Sequence, residues 1–164
     1  MARPRLVVGG LLLFIAAGPS GCGYGVSHPA RTITLDTAKQ QVTAYADQVS
    51  AALPDHPHLK PVGGLSTGEC NEGLQDQATG RYQASASYAL DGVRADQIPA
   101  TFSAFQNFAT THKYTKVSDG ANHMAYDNPK DGFRLGLDNN DGQLSLGVSS
   151  PCVWSNGTPP PKSG

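Results

Sequence analysis

A serine flanked by two glycines is the first feature of this sequence that could support catalysis. Residues 64–68, GLSTG, match Gly-x-Ser-x-Gly, the pattern that places a nucleophilic serine on a sharp turn between a buried strand and a helix. Pro61 lies upstream and a turn-like or extended segment follows, so the framing elements are not predicted. No catalytic residue is therefore assigned. A small secreted serine hydrolase that uses Ser66, with a histidine such as His123, is the alternative to a non-enzymatic function.

Two short stretches resemble metal sites in composition. His56 and His58 have the His-x-His spacing, with Asp55 adjacent, but the surrounding prolines predict a loop and no third ligand is identifiable. Residues 138–142, DNNDG, begin like a calcium loop, yet counting from Asp138 puts Gly142 at position 5 and Ser149 at position 12, where an EF-hand needs other residues. These five residues instead predict a hairpin turn. The sequence predicts no metal and no cofactor.

The first 21 residues have the three-part layout of an export signal. Arg3 and Arg5 give a positive start, and an apolar run of 12 residues, 6–17, is followed by small and turn-forming residues. A helix that spans a bilayer needs about 20 apolar residues, so a permanent transmembrane helix is not favoured. We expect residues 1–21 to be a signal peptide and the remainder to be exported.

A cysteine stands directly behind this signal. Ser20, Gly21 and Cys22 resemble the end of bacterial lipoprotein signal peptides, although Pro19 stands where that family usually has an aliphatic residue. The resemblance implies a diacylglycerol on Cys22, whose two acyl chains would hold the protein stably on the outer face of the cell membrane. The alternative is ordinary cleavage, with Cys22 left as a free thiol or in an intermolecular disulfide.

Two further cysteines remain when Cys22 is set aside. An even number of cysteines in an exported chain predicts a disulfide, here between Cys70 and Cys152. Neither belongs to a Cys-x-x-Cys pair, so a structural role is favoured over a catalytic or metal-binding one.

The composition from residue 22 onward fits one domain of moderate size. Removing Arg3 and Arg5 from the 12 basic residues leaves 10 against 13 acidic residues, a net charge of −3 with histidine neutral. This mild acidity argues against nucleic acid as a partner. We expect a flexible tether over residues 22–34, a single domain over 35–154 and a disordered proline-rich tail over 155–164.

Hydrophobic periodicity predicts two helices and about five strands. Helical spacing covers residues 36–53 and a segment that starts at Ile98 with an aromatic stripe, and strict alternation marks residues 81–90 as a strand. Further strands are expected at 65–71, 121–127, 133–138 and 143–152. The order α-β-β-α-β-β-β predicts an α+β fold, in which an antiparallel sheet of about four to five strands is covered on one face by two helices.

Two tripeptides suggest a more specific family. Together with Cys22, Gly68-Glu69-Cys70 and Ser150-Pro151-Cys152 resemble segments of small actinobacterial cell-envelope lipoproteins of the LppA-like type. The resemblance implies a cell-envelope location and a fold type, and it implies no reaction.

The function predicted from these features is that of a membrane-anchored envelope lipoprotein acting as a non-enzymatic binding module. Its partner would be an envelope protein, a glycan or a lipid. The candidate binding surface is the sheet face that the helices leave open. The side chains expected there are Arg81, Gln83, Ser85, Ser87, Arg134 and Asp138.

Overall fold

The computed structural model describes residues 29–72 and 77–161. The predicted signal peptide, Cys22, the tether up to residue 28 and the last three residues of the predicted tail lie outside the described residues. The elements are α1 (Leu35–Ala52), β1 (His58–Glu72), β2 (Gln77–Asp91), a 3-10 turn (Ala95–Gln97), α2 (Ile98–Thr111), β3 (Thr115–Gly120), β4 (His123–Asp127), β5 (Arg134–Asn140), β6 (Gln143–Ser149) and β7 (Val153–Trp154).

Helix α1 forms where the sequence combines a capping residue with an apolar stripe. Thr34 is the N-cap, and its side chain accepts a hydrogen bond from the backbone N–H of Thr37 at 3.1 Å. The helix buries one face completely and ends before Pro54, which does not allow the preceding residue to continue the helix. The residues on the buried face are Ala38, Val42, Ala46 and Val49.

Helix α2 carries the predicted aromatic stripe into the core. Pro99 lies in its first turn, where the missing N–H costs no hydrogen bond. Phe105 is fully buried and meets Tyr126 of β4 edge-on, with ring centroids 5.6 Å apart. The stripe is therefore a packing surface against the sheet and does not line a groove for a ligand.

The predicted α+β class and antiparallel sheet are confirmed, but the strand count is wrong. Within the described residues the sheet has seven strands in the order β1-β2-β6-β5-β4-β3, with β7 paired to β2. Strand β3 was missed because it is a largely exposed edge strand without alternation of apolar residues. The last predicted strand ends at Ser149, and β7 is a separate two-residue strand after Pro151.

Both helices lie on one face of this sheet, and the core lies between the helices and the sheet. Every second residue of β2, β5 and β6 points into this core, because successive residues of a strand point to opposite faces of the sheet. The fully buried strand residues with large side chains include Leu135, Leu137, Leu146 and Val148. Within the described residues, no helix is long and apolar enough to cross a bilayer.

The two ends of the described chain are joined to each other. The backbone N–H of Thr32 donates to the carbonyl of Gly157 at 2.9 Å, and the N–H of Leu35 donates to the carbonyl of Ser155 at 3.2 Å. The backbone N–H of Trp154 donates to Thr32 Oγ1 at 2.9 Å. Residues 29–34, predicted as tether, and 155–157, predicted as tail, therefore belong to the folded domain.

Candidate functional site

The open face of the sheet presents three rows of side chains that run across the strands. They follow from the strand register, since residues paired across neighbouring strands share a face. The serine row contains Ser66, Ser85, Ser149, Arg134 and Asp127. The small-residue row contains Val62, Ser87, Gly147, Gly136 and Ala125. The histidine row contains Lys60, Ala89, Ser145, Asp138 and His123.

A groove of about 460 Å³ lies over the first two rows. It exists because the small-residue row leaves space that larger side chains would fill. A Cβ added at Gly136 would meet its nearest atom, the carbonyl oxygen of Met124, at 3.8 Å, and one at Gly147 would meet the carbonyl of Gly136 at 4.0 Å. Both are ordinary contacts, so these positions have room for a side chain. Backbone packing therefore does not require glycine at these two positions. The effect of the glycines is to keep the floor of the groove open.

One wall of the groove is built by an irregularity in β1. The register of β1 against β2 shifts between Val62 and Ser66, and the intervening Gly63 and Gly64 have φ angles of 75° and 78°. These left-handed conformations are readily adopted by glycine alone. The bulge leaves Val62, which lines the groove, 53% exposed.

Cross-strand pairs hold Arg134 and His123 on the open face. Arg134 donates to both oxygens of Asp127, from Nε at 2.7 Å and from Nη2 at 2.9 Å. Hydrogen bonding from this guanidinium lowers the pKa of the Asp127 carboxyl, and the same bond raises the pKa of Arg134. His123 Nδ1 lies 2.5 Å from Asp138 Oδ1. The groove therefore combines fixed polar groups at its rim with a floor of small residues.

No family model matches this chain. Neither a curated protein nor a solved structure matches it.

Four of the six residues predicted for the binding face are at or beside the groove. Ser85, Ser87 and Arg134 line it, and Asp138 holds His123, which also lines it. The alternation of β2 and β5 was sufficient to place these side chains opposite the helices. Their convergence on one cavity depends on the register between strands that are distant in sequence.

The other two predicted residues do not line the groove. Gln83 is exposed, and its Nε2 donates to the carbonyl of Ser150 at 2.9 Å. Arg81 is only 7% exposed, because it pairs with Glu72 and lies 5.9 Å from the centre of the Trp154 ring. The expectation that Arg81 faces solvent does not hold, since a residue far away in the sequence covers it.

Ser66 and His123 are not arranged as a nucleophile and its base. Ser66 Oγ lies 3.0 Å from Ser85 Oγ and also donates to the carbonyl of Ser85 at 3.3 Å. His123 is on β4, four strands away from β1 in the sheet, which corresponds to about 19 Å at the usual strand spacing. Nucleophilic catalysis needs these two groups within hydrogen-bond reach.

The first stretch that resembles a metal site is divided between a loop and a strand, because His58 begins β1 where a loop was expected, and the second stretch forms a turn. Asp55 and His56 have positive φ angles in the loop after α1, and no group of three candidate ligands occurs within residues 29–72 and 77–161. The DNNDG stretch is the β5–β6 hairpin, with Asp141 and Gly142 at its tip and Asn139 Oδ1 accepting from the N–H of Gly142 at 2.9 Å. The predicted hairpin turn is confirmed.

The predicted disulfide between Cys70 and Cys152 is confirmed. It joins the outer part of β1 to the segment just before β7. Strand β7 pairs with β2, so the disulfide and β7 together hold the outer end of the β1–β2 hairpin.

Sequence reasoning missed the groove wall and floor. Consecutive glycines inside a strand are a recognised sign of a bulge, so Gly63 and Gly64 could have been identified as one. Gly136 and Gly147 stand at outward positions of alternating strands. They pair directly across β5 and β6, which the sequence alone does not reveal.

Proposed function

We propose that this protein is a membrane-anchored envelope lipoprotein that acts as a non-enzymatic binding module and holds its ligand in the open-face groove. The observation that carries this proposal is the groove itself, a concave site on the one sheet face that the helices leave uncovered. The lipid on Cys22 and the location on the outer face of the membrane rest on the sequence of the amino-terminal region.

The size and lining of the groove support ligand binding. Its volume of about 460 Å³ falls within the usual range of small-molecule sites, about 300 to 1,000 Å³. Such sites combine a mainly apolar surface with a few fixed polar groups. Here the apolar surface comes from Val62 and the glycine and alanine floor, and the polar groups are serine hydroxyls and Arg134.

The hydrogen bonds of the groove support a binding role over a catalytic one. Ser66 is engaged with Ser85, and His123 is engaged with Asp138 at the opposite end. A serine nucleophile needs a base that removes its proton, and these two candidates are separated by three intervening strands.

The test is to isolate the full mature chain from its native envelope and measure what remains bound, by native mass spectrometry. Ser87 lines the groove, so Ser87→Leu should remove the mass increment of the bound ligand. Ser145→Leu is the matched control, because Ser145 lies on the same face one row away and does not line the groove. An increment that survives Ser87→Leu, or that Ser145→Leu removes equally, would contradict the proposal.

The membrane anchor is tested separately by the intact mass of the same preparation. A diacylglycerol on an amino-terminal Cys22 is expected, and Cys22→Ser should release the protein from the membrane. An unmodified amino terminus at another residue would exclude the lipoprotein assignment.

A further inference from the structure

Trp154 reveals on which side of the sheet the chain enters the domain. Val153 pairs with Tyr82, is 1% exposed and belongs to the core beneath the helices. Adjacent strand residues point to opposite faces, so Trp154, which pairs with Arg81, lies on the open face. Its indole Nε1 donates to the carbonyl of Pro29 at 2.8 Å. Pro29 therefore lies on the same side of the sheet as the groove.

The distance from Pro29 to the proposed anchor is short. Cys22 precedes Pro29 by seven residues, which span at most about 25 Å when fully extended. Along β2, Arg81 at this entry point is four residues from Ser85 in the serine row, about 13 Å away. A lipid on Cys22 would thus hold the open face close to the bilayer.

The groove offers an acyl chain an apolar surface without unsatisfied backbone groups. Its floor belongs to β2, β6, β5 and β4, which are all paired on both sides. The small-residue row holds one hydroxyl, that of Ser87, and Val62 adds exposed apolar surface at the rim. The serine row, which includes Arg134, lies on the side of the groove nearer to Pro29.

We propose that the groove binds one acyl chain of a phospholipid from the membrane to which the protein is anchored. The chain lies along the small-residue row, and the head group meets the serine hydroxyls and Arg134 on the tether side. This inference rests on the proposed function, whose unnamed ligand it identifies. Three observations support it. Pro29, where the chain enters the domain, lies on the groove side of the sheet, and Val62 is an exposed apolar residue at the rim. The serine row is polar, whereas the small-residue row is largely apolar.

Other occupants fit the groove less well. An extended peptide that adds to a sheet gains its affinity from backbone hydrogen bonds at an edge strand, whereas this floor is made of interior strands. Nucleobases bind by stacking on aromatic side chains, and none of the described residues lining the groove is Phe, Tyr or Trp.

The test uses the full lipidated chain in phosphatidylglycerol vesicles that contain a phospholipid with a photoreactive diazirine near the end of one acyl chain. After illumination, mass spectrometry of the digested protein identifies the labelled residues. We expect labels on the β1 bulge, residues 62–66, and on β5 and β6. Labels confined to surfaces outside the groove would overturn the proposal.

Two variants fill the floor without disturbing the backbone. A Cβ at Gly136 or Gly147 makes only ordinary contacts and both residues line the groove, so Gly136→Leu and Gly147→Leu should lower labelling of the groove at least about tenfold by displacing methylene groups of the lipid. Gly68→Leu is the control, because Gly68 is on β1 outside the groove and has open space around it. Circular dichroism verifies folding, and Ser87→Leu replaces either variant that does not fold. Equal labelling in all variants would overturn the proposal.

A second arm separates this inference from the proposed function. The Cys22→Ser chain is exposed to a soluble diazirine fatty acid, which needs no membrane anchor. Groove labelling that the leucine variants abolish would support the acyl-chain site even if residue 22 carries no lipid. A groove unlabelled in both arms, together with a different ligand that Ser87→Leu removes, would refute the lipid and leave the binding module standing.

Discussion

Removal of the disulfide should weaken the fold strongly while leaving its structure intact. The variant is Cys70→Ala combined with Cys152→Ala. These residues are 82 positions apart, so the bond closes a loop of 83 residues counted inclusively, which contains β2 to β6. In the oxidised protein the unfolded chain keeps this loop closed, and this lowers its conformational entropy.

The magnitude follows from the loop length. The chain-entropy relation gives a loss of about 15 cal/mol/K for this loop, or about 4.5 kcal/mol at 25 °C. For a folded domain of this size that corresponds to a fall in melting temperature of about 15 °C. The native structure should persist, because β7 still pairs with β2 and Val153 remains buried.

The assay is urea unfolding followed by circular dichroism, applied to the oxidised protein, the reduced protein and the double variant. The reduced protein and the variant should agree with each other, and both should show a larger urea dependence, because their unfolded chains expose more surface. A loss below about 1.5 kcal/mol in both would refute the reasoning, since the loop constraint would then contribute little.

Three further changes test the core, the chain ends and the groove rim. Leu137→Ala removes a fully buried side chain and should lower the free energy of unfolding by about 2 to 5 kcal/mol in urea titrations. Trp154→Phe removes the indole hydrogen bond that fixes the amino-terminal segment and should make trypsin cleavage after Arg31 about fivefold faster, a change equivalent to about 1 kcal/mol. Arg134→Gln should cost at most about 1 kcal/mol at pH 7, because the pair is partly exposed. Because the pKa of Asp127 is lowered, this stabilisation is present above the ordinary pKa of about 3.9 and is lost as the pH falls through the folded-state pKa. The free energies of unfolding of the parent and of Arg134→Gln should therefore become equal in acid.

Each of these expectations has its own control. Leu65→Ala, at an exposed position of β1, should change stability by less than about 0.5 kcal/mol, and an effect equal to that of Leu137→Ala would contradict the assigned core. Cleavage after Lys130 should be the same in Trp154→Phe as in the parent, and a general acceleration would indicate global unfolding. A difference between Arg134→Gln and the parent that persists undiminished in strong acid would exclude the ion pair as its source.

The sequence predicted the elements whose burial is regular. Alternation in residues 81–90 and helical spacing in 36–53 reflect a single covered face, and that face is read directly from the order of residues. Strands β3 and β7 could not be found this way. Strand β3 is largely exposed along its length, and β7 has only two residues, both of them buried.

The candidate site was predictable only in part, for a related reason. The outward positions of Ser85, Ser87 and Arg134 follow from local alternation, but a cavity requires knowing which strands are neighbours. The covering of Arg81 by Trp154 joins positions 73 residues apart, and nothing local in the sequence indicates that contact.

The hydrogen bond between Thr32 and Gly157 makes this domain a natural candidate for circular permutation. A short linker could connect the old termini, and new ones could be opened at the Asp141–Gly142 turn, at the other end of β6 from the junction. For the same reason, a reporter fused behind residue 161 would lie beside the amino-terminal segment, whereas one inserted at that turn would lie at the opposite end of β6.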